Sequence, residues 1–480
     1  MPGSIEAGFI RVSPVAGSEI AVAKVPGSVS TVTAAEVARS GAVTIEESLQ
    51  TSVPGVIVSD LQGNAFQTDI QYRGFTASPV DGVPQGFAVY QNGVRINEAF
   101  GDTLNWDFLP LVAIDDITVV SNNPVFGLNA IGGAISIGMK DGFTFHGVET
   151  DVRFGSFGRR QGSLQAGAQS GPYATYLALE DIDDDGYRHQ GSSTIRRMYA
   201  DLGVRGDGKE FHVNFTGANN FVGVAAASPV ELLAQGWNKV FTVPQTTNNV
   251  MEMVSANGLV AATDTMKLSG VVYYRHFNQR HIDGNISSAQ DCGSLGGTPG
   301  ILCLMNVDGS TSRLVDQYGK SIATPTGIVG ELDRTSINAT GYGGSLQVSD
   351  KSKLFGHGNQ ALVGASVDHS VANYDATAEI GTVDGTFLVN GTGAIVANSD
   401  LHPVAVAAAS SYYGLYFSDT FDVTSRISLT VSGRYNLAQI DLRDTNNLSP
   451  NLNDSATYGR FNPLVGVIYG IAPGTTVYGG

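Results

Sequence analysis

The sequence predicts a membrane β-barrel preceded by a compact mixed α/β domain, and three observations lead there. Of 480 residues, 60 are Gly, only 15% are charged, and the aromatics are 18 Tyr and 21 Phe against 2 Trp. Without a long leucine-rich helical stretch, that is the profile of a turn-rich, mostly β chain. The second observation is strict apolar/polar alternation in the later segments, and the third is the lengths of the links between them. No run of 18 apolar residues occurs, which leaves out a transmembrane helix. It does not leave out a barrel, whose strands hide their apolar residues by alternation. The net charge of −17 excludes a nucleic-acid binder, which needs clustered Lys and Arg for phosphate.

The N-terminus, "MPGSIEAGFIRVSPVAGSEIAV", lacks a charged segment followed by an apolar core, so no signal peptide is visible. The C-terminus, "GTTVYGG", stops inside a strand-like stretch. Both ends raise the expectation that the chain is part of a longer protein. A boundary falls near residue 145, giving an extension at 1–24, a mixed domain at 25–143 and a strand-rich region at 144–480. Within the mixed domain "TAAEVARSGAVTIEESLQTS" reads as one or two short helices. "TDIQYRGF", "FAVYQNGVRIN", "IDDITVV" and "GGAISIGM" read as short strands.

After residue 144, "ISLTVSGRYNL" sets Ile427, Leu429, Val431, Gly433, Tyr435 and Leu437 on one face. Ser428, Thr430, Ser432, Arg434 and Asn436 occupy the other, because successive strand residues point to opposite sides. A soluble sandwich has the same alternation. The links decide between them. Thirteen strands are expected, at 147–157, 161–171, 173–182, 194–206, 209–219, 250–262, 265–276, 340–350, 359–372, 409–421, 426–441, 455–471 and 475–480. One set of links between them is short throughout. The other starts short and then lengthens, as at 183–193, 220–249, 277–339, 373–408 and 442–454. Outer-membrane barrels have short turns on one rim and long loops on the other. A barrel wide enough to hold a folded domain takes about 22 strands, so thirteen antiparallel strands imply an incomplete wall.

Cys292 and Cys303, the only cysteines, lie in "CGSLGGTPGILC" within the longest link. Their spacing suits a local disulfide in an oxidising setting outside the cytoplasm.

The stretch "VFGLNAIGGAISIGMK" invites a phosphate-loop reading, but Gly133 and Met139 stand where the lysine would be required. It has a better match. "VPGVIVSD", "IQYRGF", "VYQNGVRINEAFGD", "LPLVAIDDITVV" and "NPVFGLNAIGGAISI" occur in the order of the plug of TonB-dependent outer-membrane receptors, and the domain resembles that plug. "YYGLYFSDTFDVTSRISLTVSGRYN" and "YGRFNPLVGVIYG" are similar to barrel strands of the same family. The resemblance spans about residues 25–480. It implies that the mixed domain sits inside the barrel, with Gly127, Gly132 and Gly133 allowing close packing and positive φ in the last plug element. Asn122, Asn123 and Pro124 replace the family's usual Arg-Gly-Pro, which leaves Arg73 to lock plug to barrel.

The resemblance also implies where function lies. The outer plug loops, "DLQGNAFQ" and "EAFGDTLNWD", would meet the ligand through Gln62, Asn64, Phe66, Gln67, Phe100, Asn105 and Trp106. Rings for area beside amides for orientation suit a binding site, although Trp106 equally suits plug core and Phe108 suits it better. "GFIRVSP" is the candidate TonB box, with Phe9, Ile10, Arg11 and Val12 available to pair edge-on with TonB. No catalytic motif is present. "DIDDDG" has Ser192 where a calcium loop needs glutamate, His276 and His281 read as surface residues, and no cofactor is expected. The expected function is TonB-dependent transport across the bacterial outer membrane by a monomer embedded in lipid. The ligand is a ferric siderophore by family frequency, with cobalamin, other metal chelates and oligosaccharides open. A passive porin or adhesin barrel, or a secreted soluble β protein, is the alternative.

Overall fold

The structure, a computed structural model, describes residues 8–121, 123–224, 227–397, 403–472 and 474–480, so Asn122 lies outside the described residues. Its largest element is an antiparallel sheet that begins at Gly147–Phe154 and ends at Thr475–Gly479. Every expected strand is present in order, each hydrogen-bonded to the next. Val389–Ile395, added beside Asn359–Val383, was not expected. Several strands run further than their alternation showed. Met266–Ile286, Ile328–Asp350, Asn359–Val383 and Val404–Asp422 all extend past the expected outer ends. Much of the link expected at 277–339 is therefore strand.

Burial settles which face is which. Val431 and Tyr435 are exposed while Ser428, Thr430, Ser432, Arg434 and Asn436 are buried. The same inversion holds elsewhere: Leu202, Val213, Val272, Leu346 and Leu415 are exposed, while Asp201, Asn214, Ser269 and Gln347 are buried. A soluble sandwich buries its apolar faces. Here the apolar face is outermost, as a wall facing hydrocarbon requires, and the polar face looks inward.

Inside this wall sits the mixed domain. Thr33 caps Ala34–Ser40 through a capping box with Glu36, Gly41 ends that helix at φ 67°, and Thr44 caps Ile45–Ser52. The helices pack on a five-stranded sheet ordered Val29–Thr33, Ile114–Val120, Gly133–Met139, Phe87–Gln91, Val94–Arg95. Its Gly133–Met139 strand runs parallel to Phe87–Gln91 and antiparallel to Ile114–Val120. Gly133 starts that strand at φ 145°, and a Cβ there would lie 2.5 Å from the Val120 carbonyl oxygen. Gly127 has φ 89°, and its Cβ would meet the Arg434 guanidinium at 2.6 Å, while Gly132 gives way to the Phe75 ring. Gly127 is thus a packing device at the plug–wall seam, whereas Gly132, which lacks the expected positive φ, and Gly133 serve close packing within the plug.

Cys292 and Cys303 are joined in a disulfide within Gln290–Asp291, Leu302–Met305 and Thr311–Arg313, a small three-stranded sheet outside the barrel proper. Its apolar side, Leu302, Leu314 and Ile322, packs on Ile380 and Val396.

Candidate functional site

The plug is held by polar joints to the wall. Glu180 on Tyr173–Asp184 accepts from Arg197 Nε at 2.6 Å, from Gln161 Nε2 at 3.0 Å and from the plug's Leu111 amide at 3.3 Å. Arg197 also reaches the Asp107 carbonyl oxygen, and Asn220 Nδ2 donates to that oxygen and to Asp107 Oδ2. A second joint pairs Arg275 Nη2 with plug Glu98 at 2.6 Å, with Asn105 Nδ2 donating to the same Glu98 oxygen. Both ion pairs are buried. Arg73 plays no part in either. It adopts φ 54° in the turn after Asp69–Tyr72, donates to Ser121 Oγ inside the plug and is otherwise exposed. The lock expected of Arg73 is supplied by wall arginines and plug acceptors instead.

Of the seven expected ligand residues, five are buried in the plug or at its seam with the wall. Asn64 Nδ2 donates to Ser193 Oγ and the Gly223 carbonyl, and Phe66 packs against Ile182, Ile195 and Val222 of the wall. Gln67 is buried, Asn105 is held by Glu98, and Trp106 lies in the core that joins plug to wall residues Tyr176 and Tyr199. Amides and rings at a plug–wall seam satisfy the same physical demands as a ligand surface, and here the wall is their partner. Phe108 likewise packs on Phe277, with ring centroids 5.8 Å apart.

Gln62 and Phe100 remain half-buried, and Leu61, next to Gln62 in the chain, is exposed. Phe100 stacks on Tyr374 of the wall, with centroids 5.0 Å apart and planes 14° apart. Tyr374 stands opposite Ile337, which stands opposite Gln279. Four residues further along, roughly 13 Å outward at strand rise, Asp283 faces Asp333, and Asn285 Nδ2 donates to both. Plug Asp81 belongs to the same mouth, and burial followed by the charge of Glu98 pushes its carboxyl up to about 6. The candidate ligand floor is therefore Phe100 with Tyr374, under a polar wall, while Leu61 and Gln62 lie on the other expected loop. His281 points into this mouth and bonds Thr247, whereas His276, at odd spacing from it, faces outward.

The TonB-box candidate is folded. Phe9–Arg11 pairs with Glu19–Ala21, and Ile10 is fully buried against Ala88, Tyr90 and Phe126. The hairpin is tied to the wall: Ser13 Oγ donates to Gln347 Oε1 at 2.6 Å, Ser349 Oγ to the Gly17 carbonyl, and Lys351 Nζ to the Glu19 carbonyl. It closes a cavity of ≈ 240 Å³ that is also lined by Asp115, Asp141, Asp201, Glu210 and His212. Sequence reasoning missed this cluster. Ligand atoms of Asp141, Glu210 and His212 lie within 4.8 Å of one another. Both His212 ring nitrogens are already bonded, to Asp201 and Glu210 at 2.9 Å each. The available signal was Glu210 and His212 two apart on one strand face.

Residues 21–134 match the family model described as the TonB-dependent Receptor Plug Domain. No curated protein matches the sequence significantly. Among solved structures, the chain is similar to the unliganded ferric citrate transporter FecA, with 12% identity and a TM-score of 0.67 over 94% of this chain and 61% of that one. It is similar to the ferric yersiniabactin uptake receptor FyuA of Yersinia pestis, with 12% identity and a TM-score of 0.66 over 94% and 63%. It is also similar to the ferric-catecholate import receptor Fiu of E. coli K12 in its open form, with 12% identity and a TM-score of 0.67 over 99% and 72%. The chain spans about three fifths of the length of the first two. The resemblance read from the plug motifs is borne out by the family match, and the plugged-barrel fold by the solved structures.

Proposed function

We propose that this chain is the plug and part of the barrel of a TonB-dependent transporter that carries a scarce ligand, a ferric siderophore first among candidates, across the bacterial outer membrane. The observation that carries this reading is a plug domain seated inside a sheet whose outer face is apolar and whose inner face is polar. The solved structures of this fold support an iron chelate as the ligand class. Ligand would settle on Phe100 and Tyr374 in the outer mouth. TonB would take the segment around Phe9–Val12, which must first leave its hairpin with Glu19–Ala21 and then offer a free strand edge. The proton gradient of the inner membrane supplies the work, and no covalent step is involved.

Growth of a deletion strain on a panel of ferric chelates, cobalamin and glycans tests the reading. A defect on one ligand, restored by the intact gene and not by a form lacking residues 1–20, is the expected result. Uptake unchanged by that truncation and by collapse of the proton gradient would favour a passive barrel.

A further inference from the structure

The joint around Arg197 holds more ionisable groups than its ion pair uses. Glu46, on the plug helix Ile45–Ser52, is 1% exposed; Thr68 Oγ1 donates to its Oε1, and its Oε2 has no partner. Asp107 is 2% exposed, and its Oδ1 also lacks a partner. Arg197 Nη2 is also buried and unpartnered, as are Ser48 Oγ, two residues from Glu46, and Trp106 Nε1, next to Asp107. A single guanidinium, already committed to Glu180 and reaching the Asp107 backbone, is thus the cation within electrostatic range of two further buried carboxyl groups. A buried carboxylate without a charge partner is costly, and taking up a proton removes most of that cost.

We propose that this joint is a proton-linked latch, in which Glu46 and Asp107 hold protons while the plug is seated against the wall and give them up when it leaves. Burial pushes Glu46 up to about 8 and Asp107 up to about 6, against the opposing pull of their hydrogen bonds and of Arg197. Other charged groups on the packed elements are accounted for. Glu47 accepts the Val43 amide, Glu36 accepts from its Thr33 cap, and Arg39 is exposed on the first helix. Glu180 is paired with Arg197. Asp69, bonded by Ser59 at one oxygen and without a partner at the other, is a third buried carboxyl that burial raises, within the plug itself.

The sign follows from the released values, 4.5 for Glu46 and 3.8 for Asp107. The seated state binds more protons than the released state, so seating is strongest in acid and weakens as pH rises. Asp107 contributes between pH 4 and 6. Glu46 contributes from pH 4.5 to 8, and above pH 6 it is the one of the two that still does. Each proton released weakens seating by up to about tenfold per pH unit.

The test is hydrogen exchange of the peptide containing Leu111, whose amide is bonded to Glu180, in the full chain in detergent, expressed as protection factors between pH 6 and 7.5. Wild type should lose about tenfold protection per pH unit. Glu46→Gln should lose less than twofold over the whole range, and Asp107→Asn should keep the wild-type slope above pH 6. An infrared titration of the wild-type chain keeps the proposal testable if a variant fails to fold. A protonated carboxyl band should persist at pH 7 and disappear by about pH 9. A pH-independent protection factor in wild type, an unchanged slope in Glu46→Gln, or no protonated carboxyl at pH 7 would each overturn the latch. None of these readouts requires a ligand, so failure here leaves the transport reading to its own growth test.

Discussion

Removing Glu180 alone should unseat the plug more than removing the whole ion pair. The Glu180 and Arg197 side chains are 0% and 1% exposed, and the carboxylate serves Arg197, Gln161 and the Leu111 amide together. At pH 5, where Glu46 and Asp107 hold their protons, Glu180→Met strands a guanidinium away from water, and breaking a buried pair in this way costs about 3–5 kcal/mol. In Glu180→Met/Arg197→Met the stranded charge is gone and side-chain volume is roughly kept. Gln161 and the Leu111 amide still lose an acceptor, at about 1 kcal/mol each, so the double variant should cost about 2 kcal/mol. The second substitution is therefore expected to recover about 2 kcal/mol of what the first removes. Denaturant titration followed by hydrogen exchange reads the plug peptide at 105–112 separately from wall strands, which matters because a plugged barrel need not unfold in one step. Equal costs for the single and double variants would refute the claim that the pair is buried and coupled. So would a single-variant cost below about 1 kcal/mol, typical of a solvent-exposed pair.

Gly133→Ala should destabilise the plug by about 2 kcal/mol or more, since a side chain at φ 145° is strained and its Cβ would press on the Val120 carbonyl; protease resistance of residues 20–140 reads this directly. Replacing Cys292 and Cys303 by Ser opens a loop of sequence separation 11, a loss of about 3 kcal/mol in the chain-entropy account. Hydrogen exchange should locate that loss in residues 287–327 and leave the plug unchanged. By contrast, Asp151→Ala should change stability by less than about 1 kcal/mol in thermal melts, because its pair with Arg153 is exposed on both sides. Tyr374→Ala removes the ring under Phe100 and should weaken ligand binding at the outer mouth at least tenfold in a titration, with the fold intact by circular dichroism.

The wall was legible because lipid on one side and a polar lumen on the other impose a period of two. "ISLTVSGRYNL" shows this along its whole length. The outer ends were not legible for the same reason reversed. In "NQRHIDGNI", residues 278–286, strand continues where one face is wholly polar and the other mixes Ile282 and Ile286 with Asn278, Arg280 and Gly284, so alternation fades while the hydrogen-bond ladder does not. The plug was readable as a series of short elements, and its glycines as a packing need, but not the partners of its loops. Asn64 and Trp106 have the composition of a ligand surface, and only the register of the wall places Ser193 and Tyr199 against them. Pairs such as Arg197 with Glu180, and Glu98 with Arg275, join residues 17 and 177 apart, and local patterning is silent about both.

The small hairpin tucked beneath the plug has a direction built into it. Phe9 and Ala21 form its open end, and the chain leads away from Phe9 on one side and into the plug from Ala21 on the other. A pull applied ahead of Phe9 therefore loads the rungs one after another, as in unzipping, rather than all at once as in shear. The Ile10–Ile20 rung would part before the ties of Ser13 and Gly17 to the wall are strained. A tug too weak to disturb the five-stranded sheet could still draw this thread free, so the first mechanical event would be small, local and reversible.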